Sequence, residues 1–273
     1  MLSTIPLTDK LSRARRILRD MRSVLVAFSG GIDSSLVLKL AHDELGTNAV
    51  GVTAVSPTFP ASELEATRQI AAEIGALHRI VETDQLEIPE FVRNDATRCY
   101  HCKTDLYSLL NSLRREQGGH GIVDGTNVDD MGDDRPGFKA AREWGIRSPL
   151  LEAGFSKADI RGAAKELGLS MWEKPAAACL SSRVPRGITI TRDILSRVER
   201  AEAALAAEGF RRYRVRDHGD IARIEVAMEE LPDLLSGGRR ERLAEALKQL
   251  GYRFVTVDLE GYRRGGVSLA PPA

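Results

Sequence analysis

The run Val24-Leu25-Val26-Ala27-Phe28 is unbroken by any polar residue, and Asn48 to Val55, N-A-V-G-V-T-A-V, is nearly as apolar. A strand with one wet face alternates polar with apolar residues, so strands apolar throughout must be covered on both faces. Each run leads to a segment of helical period closed by glycine: Ser34 to Leu45 before Gly46, and Ser62 to Ile74 before Gly75. His78 to Glu82 continues the series as a third strand, Thr104 to Gln117 as a helix, and Gly121 to Gly125 as a fourth strand ending on polar residues. A helix from Leu11 to Arg22, with Thr8 and Asp9 as caps, leads into the first strand. Strand and helix alternating in this way imply right-handed crossovers, and the predicted fold class is α/β, a doubly wound parallel sheet.

Further along, Asn127 to Gly137 is acidic and glycine-bearing and reads as an exposed loop. A helix is expected at Phe138 to Trp144, a short strand or turn at Arg147 to Leu150, and a helix from Ser156, as its cap, to Leu167, ended by Gly168. Glu173 to Gly187, E-K-P-A-A-A-C-L-S-S-R-V-P-R-G, shows no period, and so polar a loop inside a compact domain is usually functional. Beyond about Thr189 the pattern becomes a small α+β domain: helix Arg192 to Glu208, strands Arg212 to Arg216 and Ile221 to Val226, helix Leu231 to Leu250, strand Arg253 to Val257. The expected domains are therefore 1–188 and 189–273, with the closing Ala-Pro-Pro-Ala frayed.

Lys plus Arg and Asp plus Glu both number 39, so no net field draws the chain to nucleic acid or to a membrane surface. No stretch approaches the roughly 20 apolar residues that span a bilayer, and the Met1 region lacks the layout of a secretory signal, which places the protein in the cytoplasm. Three cysteines, an odd number, do not make a disulfide framework.

Directly after the first apolar run stands F-S-G-G-I-D-S-S-L. A strand that ends this way and opens a helix turns backbone N–H groups, bare of side chains at Gly30 and Gly31, toward the positive end of the helix dipole, a geometry that binds phosphate. Ser29, Ser34 and Ser35 add hydroxyl donors, and Asp33 can hold Mg²⁺ or position a nucleotide. The spacing is neither that of a Walker loop nor that of a dinucleotide fingerprint. It resembles the S-G-G-x-D-S signature of the PP-loop, or N-type, ATP pyrophosphatases, which implies that ATP adenylates an oxygen and pyrophosphate leaves. Asp124-Gly125-Thr126-Asn127, at the end of the fourth strand, is similar to the G-T-N element of that superfamily and adds Thr126 and Asn127 to the ATP site; an Asx turn closing the strand is the plainer reading.

Cys99 and Cys102 lie in R-C-Y-H-C-K, and Cys179 in A-A-A-C-L-S-S-R. A redox dithiol calls for a thioredoxin-like context, a structural zinc needs a histidine as fourth ligand, and packing ill suits cysteines flanked by Arg98, Lys103 and Arg183. The remaining reading is chemical, with the thiols meeting at the ATP site. Together the PP-loop, R-C-Y-x-C-K, S-P-L, the K-x-D-I-R-x-x-A-K-x-L-G-L helix and C-L-S-S-R resemble the LarE family, ATP-dependent sulfur transferases of nickel-pincer cofactor biosynthesis, over about residues 20 to 260.

That resemblance implies adenylation of a carboxylate of pyridinium-3,5-biscarboxylic acid mononucleotide and its conversion to a thiocarboxylate. It implies a small nucleotide-like substrate and a homo-oligomer. Two sulfur sources occur in the family: a cysteine matching Cys179 that gives up its own sulfur, or three cysteines, here Cys99, Cys102 and Cys179, holding a [4Fe-4S] cluster that carries an extra sulfide. The cluster is favoured, because sacrificial chemistry needs only Cys179 and leaves the C-x-x-C pair unexplained.

On the expected strand Arg212 to Arg216, the side chains of Arg212, Arg214 and Arg216 share one face. This alternation suits a phosphate clamp or a solvated basic face, and the family resemblance assigns the substrate phosphate to Arg214 and Arg216 and a metal to Glu225. Lys103 and Arg183, beside the cysteines, are candidates for neutralising pyrophosphate or lowering thiol pKa values, or are plain surface charge. The rival functions are a tRNA-thiolating PP-loop enzyme, an ammonia-dependent amidating ligase similar to NAD or GMP synthetase, and a nucleotide or iron–sulfur sensor without catalysis.

Overall fold

The computed structural model describes residues 5–116, 119, 121–131, 136–173 and 178–263. Parts of three expected segments fall outside: 132–135 of the acidic loop, 174–177 of the cysteine-bearing loop, and the terminal Ala-Pro-Pro-Ala. The chain opens with α1 (Leu7–Met21), β1 (Val24–Ala27), α2 (Ile32–Leu45), β2 (Ala49–Val55), α3 (Ala61–Ile74) and β3 (Leu77–Glu82). It continues through α4 (Pro89–Val92), α5 (Arg98–Glu116), β4 (Gly121–Val123), α6 (Pro136–Glu143), α7 (Pro149–Ala153) and α8 (Lys157–Glu166). Last come α9 (Arg192–Ala207), β5 (Tyr213–His218), β6 (Ile221–Val226), α10 (Leu231–Leu234), α11 (Arg239–Gln249) and β7 (Phe254–Val257). These elements form two compact units, residues 1–85 with 97–177 and residues 86–96 with 178–273.

In the first unit the apolar runs become the middle of a parallel sheet ordered β3-β2-β1-β4. Val24 and Val26 of β1 enter a core with Leu18 of α1, Leu36 and Leu40 of α2 and Ile160 of α8. Leu25, between them, enters a second core with Tyr107 and Leu110 of α5 and Ala140 of α6. Helices thus cover both faces, which is why β1 carries no alternation; each such side chain contributes about 1.5–3 kcal/mol on burial. The chain steps outward from β1 through β2 to β3, then returns to lay β4 on the free side of β1. That reversal makes the carboxyl ends of β1 and β4 the topological switch point, the place where open α/β sheets bind ligands.

Several boundaries differ from expectation for local reasons. α1 begins at Leu7 with Pro6 as its cap, so Thr8 and Asp9 lie inside the first turn, Asp9 at the favourable end of the dipole. α5 begins at Arg98, ahead of the expected Thr104, and takes in both members of the C-x-x-C pair. The Arg147 to Leu150 stretch makes a single bridge, Val123 to Arg147, before the short helix α7 starts at Pro149. The expected helix from Leu231 to Leu250 is split into α10 and α11, because Gly237 and Gly238 turn at φ +59 and +71.

The second unit has its own three-stranded sheet, ordered β5-β6-β7, with β5 antiparallel and β7 parallel to β6. α9 and α11 cover one face through Ala201, Leu205, Leu243 and Leu247, packed on Val215, Ile224 and Val226. Asn94, fully buried at φ 56, binds the segment after Cys179 to this unit: its side-chain amide donates to the carbonyls of Pro185 at 2.8 Å and Ile188 at 2.9 Å.

Candidate active site

The loop after β1 is built by its own serines. Ser34 Oγ and Ser35 Oγ donate to the Gly31 carbonyl at 3.0 and 2.9 Å, and Ser34 Oγ lies 3.2 Å from Ser29 Oγ. Gly30 takes φ +70, and a Cβ there would stand 2.8 Å from Thr67 Cγ2 on α3. No side chain caps α2 at Gly31, so its first N–H groups lack a side-chain acceptor and form a positive pole for an anion.

The D-G-T-N loop closes against this one. Asp124, 3% exposed, accepts from Tyr107 Oη at 2.9 Å, Ser148 Oγ at 2.7 Å, Thr126 Oγ1 at 3.0 Å and the Thr126 N–H at 3.1 Å. Burial, and after it the Asp124 charge, push the Tyr107 phenol far above its ordinary pKa, so it remains a donor to that carboxylate. Lys103 lies over the Tyr107 ring, 5.3 Å from its centroid. Asn127, fully buried, donates to Asp130 Oδ2 at 2.6 Å and reaches Asp33 Oδ1 at 3.4 Å. Asp33 also pairs with Lys157, Nζ to Oδ2 2.6 Å.

Gly125 sets the closeness of the two loops: a Cβ there would lie 2.7 Å from the Ser34 backbone nitrogen and 2.9 Å from the Asp33 carbonyl carbon. Backbone cannot yield as a side-chain tip can. Gly125→Ala is expected to cost about 1–3 kcal/mol of stability, the usual cost of overpacking, and to weaken ATP binding. Denaturation and nucleotide titration check this; an unchanged pair of values would show that the loops separate freely.

The cysteines are distributed between the units. Cys99, exposed, and Cys102, partly buried, stand one helical turn apart at the start of α5, on one face. Cys179, exposed, belongs to the second unit, where it precedes a 3₁₀ turn, Leu180–Arg183. None of the three is in a disulfide. Within either unit, among the described residues, no group of three or more His, Cys, Asp or Glu side chains is gathered as a metal site.

Two buried arginines hold the Cys179 segment. Arg183 pairs through two bonds of 2.8 Å with Glu202 and donates to the Ala178 and Cys179 carbonyls at 2.6 and 2.9 Å. Arg216 pairs in the same way with Glu225, both bonds 2.8–2.9 Å, and donates to the Ser182 carbonyl at 2.8 Å. Glu225, 1% exposed, also accepts from Arg223 at 3.0 Å. Arg214 lies 5.2 Å from the centroid of the Tyr262 ring; burial first, then the Arg183 charge, lowers its pKa.

Some of these residues receive no role from the sequence. Lys157 opens the K-x-D-I-R motif, yet only its place in the first turn of α8, where a cation opposes the helix dipole, marks it for a task. Glu202 falls on the apolar stripe of α9 beside Val198, Ala201 and Leu205, a burial that requires a charged partner. Ser148 is the serine of S-P-L, though nothing local ties it to Asp124, and Tyr107 carries no mark.

A parallel sheet whose S-G-G-x-D-S loop stands at the β1/β4 reversal is that of the PP-loop class of ATP-using enzymes, and residues 7–117 match the asparagine synthase family. The chain is 43% identical over 249 residues to pyridinium-3,5-bisthiocarboxylic acid mononucleotide synthase of Lactiplantibacillus plantarum, covering 91% of this chain and 90% of that one. It belongs to that family, LarE, of ATP-dependent sulfurtransferases. An uncharacterized protein of Synechocystis sp. is 42% identical over 95% of this chain and 97% of its own length. A protein named probable tRNA sulfurtransferase, from Methanothermobacter thermautotrophicus, is 27% identical over 53% of this chain and 40% of its own. Among the described residues no helix is long and apolar enough to cross a membrane.

Proposed function

We propose that the chain uses ATP to adenylate a carboxylate of pyridinium-3,5-biscarboxylic acid mononucleotide and then converts it to a thiocarboxylate. The observation that supports this most is the Ser29–Ser35 loop at the open end of β1, with Asp33 and the uncapped α2, in a chain similar over 91% of its length to a bisthiocarboxylate synthase. A carboxylate is a poor electrophile. Its oxygen attacks the α-phosphorus of ATP and pyrophosphate leaves, stabilised by the N–H groups of the loop that Ser34 and Ser35 shape through the Gly31 carbonyl, with Thr126 and Asn127 on the nucleotide. Sulfide then attacks the acyl carbon and AMP departs with the former carboxylate oxygen.

Mg²⁺ is held by one or two carboxylates together with substrate phosphates, and the Asp33 carboxylate beside the loop fits that requirement. When bound it would neutralise the charge of the departing pyrophosphate. The donor set for a [4Fe-4S] cluster is chemically apt: Cys99 and Cys102 share a helical face, and Cys179 is an exposed thiol. Such a cluster would supply the transferred sulfide. Arg214 and Arg216 are assigned the substrate phosphate and Glu225 a metal there; the incoming phosphate and metal would replace the two bonds that Arg216 and Glu225 make to each other. Lys103 is assigned to the charge of the nucleotide, whereas Arg183, 3% exposed, spends its donors on Glu202 and on the Ala178 and Cys179 carbonyls and is assigned instead to holding the Cys179 segment. The equality of 39 basic and 39 acidic residues favours this small substrate over tRNA.

Incubation with ATP, Mg²⁺ and the biscarboxylate is expected to release pyrophosphate and to yield a product in which sulfur replaces carboxylate oxygen, read by mass spectrometry. Pyrophosphate release that ignores the biscarboxylate and follows tRNA would overturn the assignment.

A further inference from the structure

Resting on the reading that Asp33 meets Mg-ATP, we propose that Lys157 is a further catalytic residue of the adenylation step: it guards Asp33 in the empty enzyme and passes to the phosphates when metal takes the carboxylate. The ion pair has Nζ 2.6 Å from Oδ2, and its side chains are 33% and 25% exposed. A pair open to solvent contributes little to stability, so folding alone does not account for a lysine aimed at this carboxylate. Its position is also unfavourable locally, a cation in the first turn of α8.

The backbone of Lys157 is anchored by its surroundings, and its ammonium is held by Asp33. Its backbone N–H donates to Asp129 Oδ2 at 2.6 Å. Ser156, immediately before it, makes a reciprocal capping box with Asp159, whose carboxylate Lys10 holds at 2.6 Å. Four methylenes then carry the ammonium from this anchored base to Asp33. Among the described residues Asp33 is also flanked by Asn127, 3.4 Å from Oδ1, by the close-lying Gly125 backbone and by the serine-built loop that opens α2. At Asp33 the Lys157 ammonium would be repelled by an arriving divalent ion and attracted by the triphosphate that comes with it. Both forces would act in the same direction and draw the head from the carboxylate to phosphate. There it opposes the charge that develops as the bond from the α-phosphorus to the bridging oxygen breaks.

This exchange has a signature that a structural role lacks. With Lys157→Met, Asp33 loses its competitor, so nucleotide-free protein should bind Mn²⁺ several-fold more tightly by electron paramagnetic resonance. The same variant should release pyrophosphate about 100-fold more slowly, on the scale of losing one preorganised donor. Lys157→Arg, which keeps the charge, should restore Mn²⁺ affinity to the wild-type value and recover part of the rate. Weaker or unchanged Mn²⁺ binding in a folded Lys157→Met protein, or a rate within twofold of wild type, would overturn the proposal. The Mn²⁺ measurement needs no substrate, so it decides the exchange even if wild-type protein fails to release pyrophosphate, the outcome that would instead defeat the adenylation reading.

Discussion

Asp33→Ala is expected to lower pyrophosphate release by at least about 10²–10³-fold, the scale set by losing a single preorganised electrostatic group in a water-excluded site, and to leave bound iron unchanged. The carboxylate lies in the first turn of α2, a quarter exposed, with Lys157 and Asn127 at its two oxygens. None of these contacts buries apolar surface, so the thermal midpoint should change little. Loss of rate with an intact fold therefore reports on the nucleotide. Adenylation that persists in the folded variant would remove Asp33 from the reaction and take the metal site with it.

The second large effect concerns the thiols. Protein purified without oxygen is expected to carry about four irons per chain with matching acid-labile sulfide, and Cys99→Ala should lose them. Cys102→Ala should do the same, because both residues lie on the opening turn of α5, and so should Cys179→Ala. Full iron in any one of these variants contradicts the three-thiol site. Iron-free wild-type protein that loses the elements of H₂S at Cys179 after one turnover would establish the sacrificial route instead. In that case Cys99→Ala leaves the first turnover intact.

Much of the first unit was legible because its signals are local. β1 and β2 announced two-sided burial by lacking alternation, and the loop after β1 carried glycines, an acid and hydroxyls in an order that few other structures require. The start of α5 was hidden, since Arg98, Cys99 and His101 have no apolar period and only the tertiary setting, with Arg98 buried, extends the helix over them. Lys157 on Asp33 was out of reach for a different reason: the partners are separated by 124 positions, and no local pattern encodes such a distance. The basic alternation around Arg214 was visible, yet the capture of Arg216 by Glu225 and of Arg183 by Glu202 depends on which elements pack together. A sequence reports charge, whereas the fold decides which charges are already answered.

The clasp made by Asn94 also bears on the order of assembly. Residues 86–96 leave the ribosome early, but the carbonyls their asparagine must reach lie 90 to 94 positions later. The intervening residues 97–177 belong to the first unit and can fold before that partner exists. Closing so long a loop adds only a slowly growing entropic cost at equilibrium, but it delays the contact in time. The piece of the second unit that is synthesised first thus cannot make its Asn94 contacts until the chain has been extended by at least 90 residues more.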